Sequence, residues 1–570
     1  MARTVAIGKQ NFESVRKGNY FYIDKTSFIK EWWDRGDDTT LITRPRRFGK
    51  TLNMSMIEQF FSVDYTGRSD LFEDLFIWQH EQYRQIQGTY PVISLSFANI
   101  KEGDYQNTRN KICQLIINLY VKFSFIRDSD VITEKDKQYF DRMSKNMDDS
   151  DATLALYQLS SFLYRYYGKK VIIILDEYDT PMQEAYVHGF WDELAGFFRS
   201  MFNATFKTNP CMERAIMTGI TRISKESVFS DLNHLQIVTT TSDLYAESFG
   251  FTENEVFDAL EEYDLSKEKD NVKRWYDGFS FGDKNDIYNP WSIINFLSKQ
   301  KFEPYWANSS SNSLVDKLIQ SGNPDIKQSF EELLVGKTID TMIDEQIVYN
   351  QLNGNTQAIW SLLLASGYLK VKRFYVNEPD ADTWEQRYEL AITNFEVKQM
   401  FERLVKGWFD LVQSSYNAFI NALLTDDLDE MNDYMNHIAL ETFSYFDIGG
   451  GHTEKEQPER FYHGFVLGLM VELKGKYIIK SNRESGYGRY DIMLEPKNEN
   501  SPAIILEFKV YHPKREKNLE ETLENALAQI RKKEYAASLQ AKGIEQDRIY
   551  EYGFAFEGKR VLIGGGMMIK

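Results

Sequence analysis

Residues 43–51 read Thr43-Arg-Pro-Arg-Arg-Phe-Gly-Lys-Thr51, and we refer to them as the GKT loop. This loop follows an apolar stretch at 39–42 that predicts a strand, and it leads into a helix predicted from about residue 49 to residue 61. A loop of the form G-x-x-x-x-G-K-[ST] in this context is typical of phosphate binding, because backbone N–H groups and the helix N-terminus surround the phosphate oxygens. Lys50 is then expected to contact the β and γ phosphates, and the Thr51 hydroxyl to bind Mg²⁺.

One position departs from that general pattern, since Arg44 stands where the first glycine is expected. The GKT triplet alone occurs often by chance, so its interpretation depends on a second motif. The alternative is an ordinary helix start whose polar side chains are solvated. The predicted nucleotide-binding residues of the loop are Arg44, Arg46, Arg47, Phe48, Gly49, Lys50 and Thr51.

The second motif is Val171-Ile-Ile-Ile-Leu175-Asp176-Glu177, an apolar strand that ends in two carboxylates. An aspartate at the tip of a buried strand can hold Mg²⁺, so we predict that Asp176 is a metal ligand and contacts the nucleotide site. The neighbouring Glu177 can orient and deprotonate the attacking water. The alternative for both carboxylates is the capping of a helix.

A third predicted strand, 213–217, precedes two further candidate residues. Thr218 ends this strand and is predicted to contact the nucleotide near the γ phosphate. Arg222 follows and is predicted to contact phosphate, either in cis or in a neighbouring subunit. The alternative for Arg222, as for Arg46 and Arg47, is a solvated surface charge.

The order of predicted elements divides the chain into four parts. In residues 1–245 strands alternate with helices, which predicts an α/β domain of the P-loop NTPase type, with a parallel sheet and helices on both faces. Residues 246–375 contain short helices and aromatic turns and predict a helical lid or winged-helix-like region. Residues 376–456 predict a helical connector that ends in a glycine-rich linker. Residues 457–570 predict a compact α/β domain.

The last part contains a third motif, Arg489-Tyr-Asp491-Ile-Met-Leu494, then a polar turn, then Ala503-Ile-Ile-Leu-Glu507-Phe-Lys509. Residues two apart in a strand share a face, so Glu507 and Lys509 are expected on the same face of the second strand. A turn of this length allows the two strands to pair as a hairpin, which would bring Asp491 beside Glu507 and Lys509.

Two neighbouring carboxylates repel each other unless a cation lies between them, and hard oxygen ligands suit Mg²⁺ or Mn²⁺. Such a metal can activate a water and stabilise the charge that develops on a phosphate during in-line attack. Lys509 can orient or deprotonate that water, or neutralise the phosphoryl oxygens. A solvated amphipathic hairpin carries the same pattern, so the motif alone leaves both interpretations open. The predicted catalytic residues are Glu177, Asp491, Glu507 and Lys509, and the predicted metal ligands are Thr51, Asp176, Asp491 and Glu507.

Composition limits the classes of partner. The chain has 570 residues, of which 42% are hydrophobic and 27% charged, as expected of a folded protein with several domains. The net charge of −18 opposes attraction of the whole molecule to nucleic acid, so binding requires a local basic site such as the one around Lys532 and Lys533. Two cysteines and the absence of a long apolar run predict a cytoplasmic protein with no membrane partner.

The first two motifs resemble the AAA-ATPase-like family found in many bacteria. In that family the RPRRFGK[ST] form of the loop is usual, so Arg44 is consistent with it. The resemblance implies ATP as the nucleotide, and it implies that residues 7–26 pack near the base, with Asp24 and Lys25 near the site. The segments that carry it are IGKQNFESVRKGNYFYIDKT (7–26), RPRRFGKT within the GKT loop, LDEYDTPM (175–182) and TGITRISKES (218–227).

The third motif resembles the PD-(D/E)xK nuclease superfamily, in particular the nuclease domain that follows AAA-ATPase-like domains. The resemblance implies that Glu459 is a further metal ligand and that Gln529 contacts substrate phosphate or metal-bound water. A glutamate at a helix start can also interact with the helix dipole, so both roles stay open for Glu459. The supporting segments are PERFYHGFVLGLM (458–470), ALAQIRKKEYA (526–536) and YGFAFEGKRVLIG (552–564).

Taken together, these motifs predict a protein that binds and hydrolyses ATP and carries a Mg²⁺- or Mn²⁺-dependent nuclease domain. The expected substrate is DNA, contacted by Gln529, Lys532 and Lys533, and nucleotide state is expected to control the nuclease. One alternative is a nucleotide-switched regulatory protein whose nuclease-like tail does not cleave. Another is an ATPase whose tail acts as a nucleic-acid clamp. A homo-oligomer is compatible with either.

Overall fold

The computed structural model of the chain describes most of its residues, in two compact units. The first unit comprises Met1–Leu318 and Leu333–Met400, and the second comprises Ile319–Glu332 and Phe401–Lys570. The described residues are 2–222, 228–229, 232, 234–309, 313–320, 324–345, 352, 355–380, 383–407, 413–442, 466, 470–485, 488–498, 501–513, 515–557 and 560–567.

A five-stranded parallel sheet forms the centre of the first unit. Its strands are β1 (Thr39–Thr43), β2 (Val92–Ser96), β3 (Val171–Asp176), β4 (Met212–Gly219) and β5 (Leu235–Val238). They are ordered β2-β3-β4-β1-β5, and every neighbouring pair is parallel. The sequence VIIILD of β3 is buried along its whole length, as expected of a parallel strand that is covered on both faces. The predicted α/β fold is confirmed.

Helices cover this sheet, and the two that matter most for the site have clear start signals. The third helix begins at Lys50 because Gly49 adopts a positive φ of 81°, which ends the GKT loop. The seventh begins after Asp148, whose side chain accepts the N–H of Asp151. The helices are α1 (Phe12–Lys17), α2 (Ser27–Arg35), α3 (Lys50–Phe61), α4 (Glu81–Arg84), α5 (Tyr105–Lys122), α6 (Glu134–Arg142), α7 (Asp149–Tyr167), α8 (Thr180–His188) and α9 (Trp191–Phe206).

The carboxyl ends of these strands meet at one edge of the sheet. The GKT loop leaves β1, Asp176 ends β3, and Thr218 lies near the end of β4. Because β4 pairs with both β1 and β3, the three motifs of the first unit come together at this edge. This is where ligands bind in open parallel sheets.

The middle of the chain contains more strand than its sequence predicted. Two three-stranded antiparallel sheets, ordered β6-β8-β7 and β10-β11-β9, lie among its helices, and β11 falls within the range 376–456 predicted as a helical connector. Near residues 361–371 the chain passes from α15 through a turn at Gly367 into β10. The elements are β6 (Phe251–Thr252), α10 (Glu253–Glu262), α11 (Lys269–Tyr276), β7 (Phe279–Phe281), β8 (Lys284–Tyr288), α12 (Pro290–Lys299), α13 (Ser313–Gln320), α14 (Pro324–Leu334), β9 (Ile339–Thr341), α15 (Thr356–Ala365), β10 (Leu369–Asp380), β11 (Thr383–Ile392) and α16 (Phe395–Gly407).

A second five-stranded sheet forms the centre of the second unit. Its strands follow each other in chain order, and they are antiparallel except for the parallel pair β14–β15. The predicted pair of strands around Asp491 and Glu507 is confirmed, and the helical segment that follows is interrupted after Lys532. The elements are α17 (Gln413–Thr425), α18 (Leu428–Thr442), β12 (Tyr477–Ser485), β13 (Gly488–Pro496), β14 (Ala503–Val510), α19 (Leu519–Lys532), α20 (Ala537–Gln540), β15 (Ile549–Glu557) and β16 (Arg560–Met567).

Apolar side chains cover both faces of this second sheet. On one face, Ile492 and Leu506 pack in a core that includes Phe419 of α17 and Met431 of α18. On the other face, residues of the same strands pack against α19 and α20 in a smaller core. Successive residues of a strand point to opposite faces, which explains why β14 is buried from Ala503 to Phe508.

Among the helices that the structure describes, none combines the length and the apolar composition needed to cross a bilayer. The segment 458–470, which carries part of the nuclease resemblance, lies mostly outside the described residues, and Met470–Gly475 forms a 3₁₀ helix.

Candidate functional site

Asp176 connects the GKT loop with β4 at the carboxyl edge of the first sheet. Its Oδ2 accepts a 2.8 Å hydrogen bond from Thr51 Oγ1, and its Oδ1 accepts a 2.5 Å hydrogen bond from Thr218 Oγ1. Burial raises the pKa of Asp176, and the hydrogen bonds from Thr218 and Thr51 oppose that shift. The structure therefore brings together three residues that the sequence predicted for one site.

Lys50 lies in the same place, folded onto its own loop. Its ammonium group donates to the carbonyl oxygens of Arg44 and Pro45, each at 2.9 Å, and the residue is 5% exposed. Burial lowers the pKa of Lys50, and the nearby carboxylates of Glu177 and Asp176 act in the opposite direction. A buried ammonium beside two carboxylates is a group that can bind an oxyanion such as a phosphate.

Glu177 is positioned by the turn that follows β3. Its φ is 51°, in the left-handed region, and its N–H donates to Thr218 Oγ1 at 3.3 Å. The hydroxyl of Thr180 donates to Glu177 Oε2 at 3.3 Å. Glu177 also lines the cavity next to Lys50, so its carboxylate can reach a water held there.

The guanidinium of Arg44 has a different environment from the one predicted for a nucleotide ligand. It is fully buried, donates to the carbonyl oxygens of Thr43 (3.0 Å), Thr239 (2.5 Å) and Leu244 (3.0 Å), and lies 4.3 Å from the ring centroid of Phe281. Buried carbonyl oxygens need donors, and the planar guanidinium supplies several at once. The structure thus buries the Arg44 side chain in the protein interior, where it binds backbone carbonyl groups.

Residues from the middle of the chain hold the GKT loop from outside. The carbonyl oxygen of Arg46 accepts hydrogen bonds from Trp306 Nε1 at 2.9 Å and Asn289 Nδ2 at 3.3 Å. The ring of Phe48 packs edge-on against Phe279, with 4.8 Å between centroids, and is 1% exposed. The side chain of Phe48 therefore anchors the loop.

A cavity of about 940 Å³ opens beside the loop. Its lining includes the polar side chains of Lys50, Thr51 and Glu177 together with aromatic and aliphatic side chains. Arg47 also lines it, with its guanidinium 4.5 Å from the ring centroid of Trp291. A cavity lined by cationic and aromatic side chains suits a ligand with phosphates and a flat ring. Further lining residues are Tyr20, Tyr22, Arg46, Gly49 and Ile294.

The N-terminal segment borders this cavity, as its resemblance implied. Lys25 lines it and donates to both carboxylate oxygens of Glu255 at 2.7 Å. Asp24 has a structural role instead, since its carboxylate accepts the N–H groups of Thr26 (2.8 Å) and Phe76 (2.7 Å).

Two residues that follow the motifs complete the description. Asp179, which the sequence reasoning missed, is fully buried and accepts the N–H groups of Ile220 and Thr221 at 2.9 Å, so it fixes the chain beyond Thr218. Its signal was the second aspartate of Leu175-Asp-Glu-Tyr-Asp179. Arg222 is half-buried near Glu345, and burial lowers its pKa.

The third motif forms the predicted pair of strands. Ile492 of β13 pairs with Leu506 of β14, so Asp491 and Glu507 are the next residues in the antiparallel register. The N–H of Phe508 donates to Asp491 Oδ2 at 2.8 Å. Ile492 and Leu506, the neighbours of Asp491 and Glu507 along their strands, pack in the core on one face of the sheet. Because successive residues of a strand point to opposite faces, Asp491 and Glu507 lie on the other face, which carries α19.

Gln529 of α19 connects the remaining groups of this motif. Its Oε1 accepts a 2.7 Å hydrogen bond from Lys509 Nζ, and its Nε2 donates to Glu507 Oε1 and, at 3.2 Å, to the Tyr535 hydroxyl. Burial raises the pKa of Asp491 to about 6, although the Phe508 hydrogen bond and the Lys509 charge act to lower it. Two carboxylates, an ammonium and an amide therefore converge on one face of the sheet.

The donor set at this second site suits a divalent cation, because carboxylate oxygens are the hard ligands that Mg²⁺ and Mn²⁺ prefer. Within the described residues, no group of three or more His, Cys, Asp or Glu side chains converges to hold a metal. The predicted third ligand, Glu459, lies outside the described residues. Lys532 is exposed at the end of α19, and Lys533 is partly exposed after it.

Comparisons with known proteins agree with the two motif sets. Residues 6–229 match a family model described as predicted AAA-ATPase, and residues 457–565 match one described as PD-(D/E)XK nuclease superfamily. An "Uncharacterized protein in vnfD 5'region" of Azotobacter chroococcum mcd 1 is 24% identical over 570 residues, which cover 95% of this chain and 94% of that protein.

Among solved structures, that of the Aeropyrum pernix ORC2 protein (ADPNP-ADP complexes) matches 70% of this chain and 95% of that chain, with a TM-score of 0.25 and 8% identity. That similarity is too low to support an inference about this chain. The two family models, in contrast, cover the GKT loop, Asp176, Asp491 and Glu507. The chain therefore combines an AAA-ATPase-like domain at residues 6–229 with a domain of the PD-(D/E)XK nuclease superfamily at residues 457–565.

Proposed function

We propose that this protein is an ATP-dependent nuclease: its first domain binds and hydrolyses ATP with Mg²⁺, and its last domain cuts phosphodiester bonds in DNA. The observation that carries the nuclease assignment is the convergence of Asp491, Glu507 and Lys509 on one face of paired strands. Asp491 contacts the backbone of β14, while Lys509 and Glu507 meet at Gln529. A cluster of this kind fits metal-assisted hydrolysis of a phosphate ester.

In the first domain, each residue at the carboxyl edge has a separate task. The hydroxyl of Thr51 and the carboxylate of Asp176 are oxygen ligands suited to Mg²⁺, which would neutralise charge on the phosphates. Lys50 exchanges its loop carbonyls for phosphate oxygens, and Glu177 orients and deprotonates the attacking water. The cavity of about 940 Å³, which Trp291 helps to line, supports binding of a ligand as large as a nucleotide. ATP rather than another nucleotide is supported by the family.

In the last domain, Asp491 and Glu507 would hold the divalent cation, which lowers the pKa of a bound water. Lys509 orients that water or neutralises the phosphoryl oxygens. Gln529 sets the position of the Lys509 ammonium and of the Glu507 carboxylate, and Lys532 and Lys533 bind the nucleic-acid backbone. In the hydrolysis, the water oxygen bonds to phosphorus while the bond from phosphorus to the leaving ester oxygen breaks. Solvent accepts one proton of the water, the other stays on the phosphate product, and the leaving oxygen takes up a proton from solvent.

A cleavage assay tests the nuclease assignment. Circular DNA, linear DNA and RNA are incubated with Mg²⁺, Mn²⁺ or EDTA, each with and without ATP, and the wild type is compared with Asp491→Asn. We expect cleavage that requires the cation and falls at least ~100-fold in the variant, because a metal ligand is lost. Asp547→Asn, an equal charge change at an exposed position, is the matched control and is expected to cleave normally. Equal cleavage by Asp491→Asn and the control would contradict the assignment.

Control of the nuclease by nucleotide is the second element of the proposal, and it is supported by the fusion of the two domains in one chain. We expect the cleavage rate to differ between ATP-bound and nucleotide-free protein. Lys50→Ala, which removes the phosphate-binding ammonium, should abolish that difference. Equal cleavage by the wild type and Lys50→Ala, with and without ATP, would remove nucleotide control from the proposal.

A second candidate function is a nucleotide-switched ATPase whose tail binds nucleic acid without cutting it. The observation that favours it is that Lys509 and Glu507 are both hydrogen-bonded to Gln529, so each already makes a contact within the protein that a cation or a phosphate would have to displace. DNA binding by the wild type without cleavage under any cation would support this candidate and overturn the nuclease.

A further inference from the structure

Glu396 is a buried carboxylate that belongs to neither of the two sites described above. It lies in the first turn of α16 and has 0% exposure. Its Oε1 accepts the N–H groups of Trp306 at 2.6 Å and Ala307 at 3.3 Å, and its Oε2 accepts the Ser292 hydroxyl at 2.9 Å. A buried charge is costly unless it is fully hydrogen-bonded, so these donors fix Glu396 and are fixed by it.

The two segments that Glu396 joins are the same two that hold the GKT loop. Trp306 donates its indole N–H to the carbonyl oxygen of Arg46, while its backbone N–H is bound by Glu396. Asn289 donates to the same carbonyl oxygen, and its side chain also caps α12, the helix that carries Ser292. One carboxylate therefore anchors both donors to Arg46.

The carbonyl of Arg46 shares a peptide plane with the N–H of Arg47, and in a trans peptide these groups point in opposite directions. No cis peptide bond occurs in the described residues. Trp306 and Asn289, by holding the carbonyl, thus set the direction of an N–H in the GKT loop. Phosphates bind to the N–H groups of such a loop, so a bound nucleotide would contact the same peptide plane between Arg46 and Arg47.

The helix that carries Glu396 also continues beyond the first unit. α16 runs from Phe395 to Gly407, and the division between the two units falls between Met400 and Phe401. Glu396 therefore lies at the start of a helix whose last residues belong to the unit that contains the nuclease superfamily domain.

We propose that Glu396 is a positioning residue that links the GKT loop to α16 through Trp306, Asn289 and Ser292, so that a nucleotide at the loop stabilises the start of α16. This inference rests on the proposed function, since it requires the loop to bind a nucleotide. It gives the GKT loop a hydrogen-bonded connection that starts at the Arg46 carbonyl and ends in the first turn of α16.

The experiment compares the full-length wild type with Glu396→Gln and Trp306→Phe. Glutamine keeps the size of Glu396 but replaces one acceptor oxygen by a donor. Phenylalanine keeps an aromatic ring at position 306 but removes the indole N–H that binds the Arg46 carbonyl. Two quantities are measured with ATP and Mg²⁺: the nucleotide dissociation constant, and hydrogen exchange of the amides in residues 395–407. Arg403→Gln, at an exposed position of α16, is the matched control.

In the wild type and in Arg403→Gln, nucleotide is expected to slow exchange at the start of α16. In Glu396→Gln and Trp306→Phe, the affinity is expected to fall about fivefold or more, the effect of one lost hydrogen bond, and the slowing in α16 to disappear. Trp306→Phe leaves the buried carboxylate in place, so it tests the link even if Glu396→Gln folds poorly.

The outcomes separate this inference from the proposed function. If the wild type binds nucleotide but exchange in α16 does not change, the inference is overturned and ATP binding stands. The inference is also overturned if Glu396→Gln and Trp306→Phe bind and respond as the wild type does. If the wild type binds no nucleotide at all, the ATPase part of the proposed function fails, and this inference fails with it.

Discussion

The hydroxyl of Thr51 donates a 2.8 Å hydrogen bond to Oδ2 of Asp176, and this contact joins two motifs that lie 125 residues apart in the sequence. The other carboxylate oxygen of Asp176 is held by Thr218. Both oxygens are thus oriented before any ligand binds, which reduces the reorganisation that a metal–nucleotide complex would require. Removing this contact by substitution of Thr51 therefore tests the ATPase assignment directly.

Replacing Thr51 by valine should remove the hydroxyl while the shape of the side chain is kept. Valine has nearly the same volume but neither donates to Asp176 nor offers an oxygen to Mg²⁺. We expect Thr51→Val to lower Mg²⁺-dependent ATP hydrolysis at least ~100-fold, and Thr51→Ser to stay within about threefold of the wild type. Phosphate release at saturating ATP measures both. Equal rates for the valine and serine variants would show that the hydroxyl has no part in hydrolysis.

Arg44 should contribute to stability more than to chemistry. Its guanidinium donates to three buried carbonyl oxygens, which would lose their donors in Arg44→Ala. Leaving such groups unsatisfied, together with the lost packing on Phe281, is expected to destabilise the first unit by about 3 kcal/mol. Urea unfolding followed by circular dichroism measures this loss. The exposed Arg373, replaced by alanine, is the control and should change stability by less than about 0.5 kcal/mol.

An Arg44→Ala protein with unchanged stability and no ATP binding would assign Arg44 to the ligand after all. That result would restore the role first predicted from the position of Arg44 in the GKT loop.

Much of the fold and part of both sites follow from local patterns in the sequence. The apolar run that ends in Asp176 identifies a central parallel strand, and the two-residue period of β14 places Glu507 and Lys509 on one face. These inferences need only a strand, its period and its neighbours in the chain. The pairing of Asp491 with Glu507 needed only the length of a turn in addition.

The remainder depends on contacts between distant residues, which leave no local pattern. Glu396 binds Trp306 across 90 residues, and Trp306 binds the Arg46 carbonyl across 260. The position of Arg44 in the GKT loop predicts a phosphate ligand, whereas the acceptors of its guanidinium, Thr239 and Leu244, lie about 200 residues away. The burial of a polar side chain and the identity of its partners depend on the tertiary structure, so the periodicity of the sequence cannot predict them.

The nuclease superfamily domain should require helices that precede residue 457. Phe419 and Leu423 of α17 and Met431 and Met435 of α18 are buried in the core beneath β13 and β14. Removal of each such side chain costs about 2–5 kcal/mol, so the loss of all four exceeds the usual stability of a domain. We expect a fragment of residues 457–570 not to unfold cooperatively in urea, whereas a fragment of residues 401–570 should.

The same helices protect an edge of the sheet, which gives this prediction a second readout. Asn432 and Asn436 of α18 each bind both the N–H and the C=O of one residue in β16, Ile563 and Val561 respectively. Without α18 that edge strand is open to pairing with other chains. Aggregation of the 457–570 fragment in light scattering is therefore expected, and a monomeric, cooperatively folded 457–570 fragment would refute both expectations.

Glu396 should make the stability of the first unit depend on pH near neutrality. Burial raises the pKa of Glu396 from 4.5 to about 7, against the opposing hydrogen bonds of Ser292 and Trp306. Between these two values the folded protein holds a proton that the unfolded chain has released. The contribution is therefore fully present below pH 4.5 and is lost as the pH rises through about 7, and its size is up to about 3 kcal/mol.

A comparison of the wild type with Glu396→Gln isolates this contribution, because glutamine does not titrate. Asp277, whose pKa burial also raises to about 7, is present in both proteins, so its effect cancels in the difference. The measurement is the free energy of unfolding in urea at pH 5 and at pH 7.5. We expect the wild type to lose more stability than the variant over this interval, by about 2 kcal/mol, because the shift from 4.5 to about 7 lies almost wholly within it. Identical losses in the two proteins would mean that Glu396 is already ionised at pH 5, and that its three hydrogen bonds outweigh its burial.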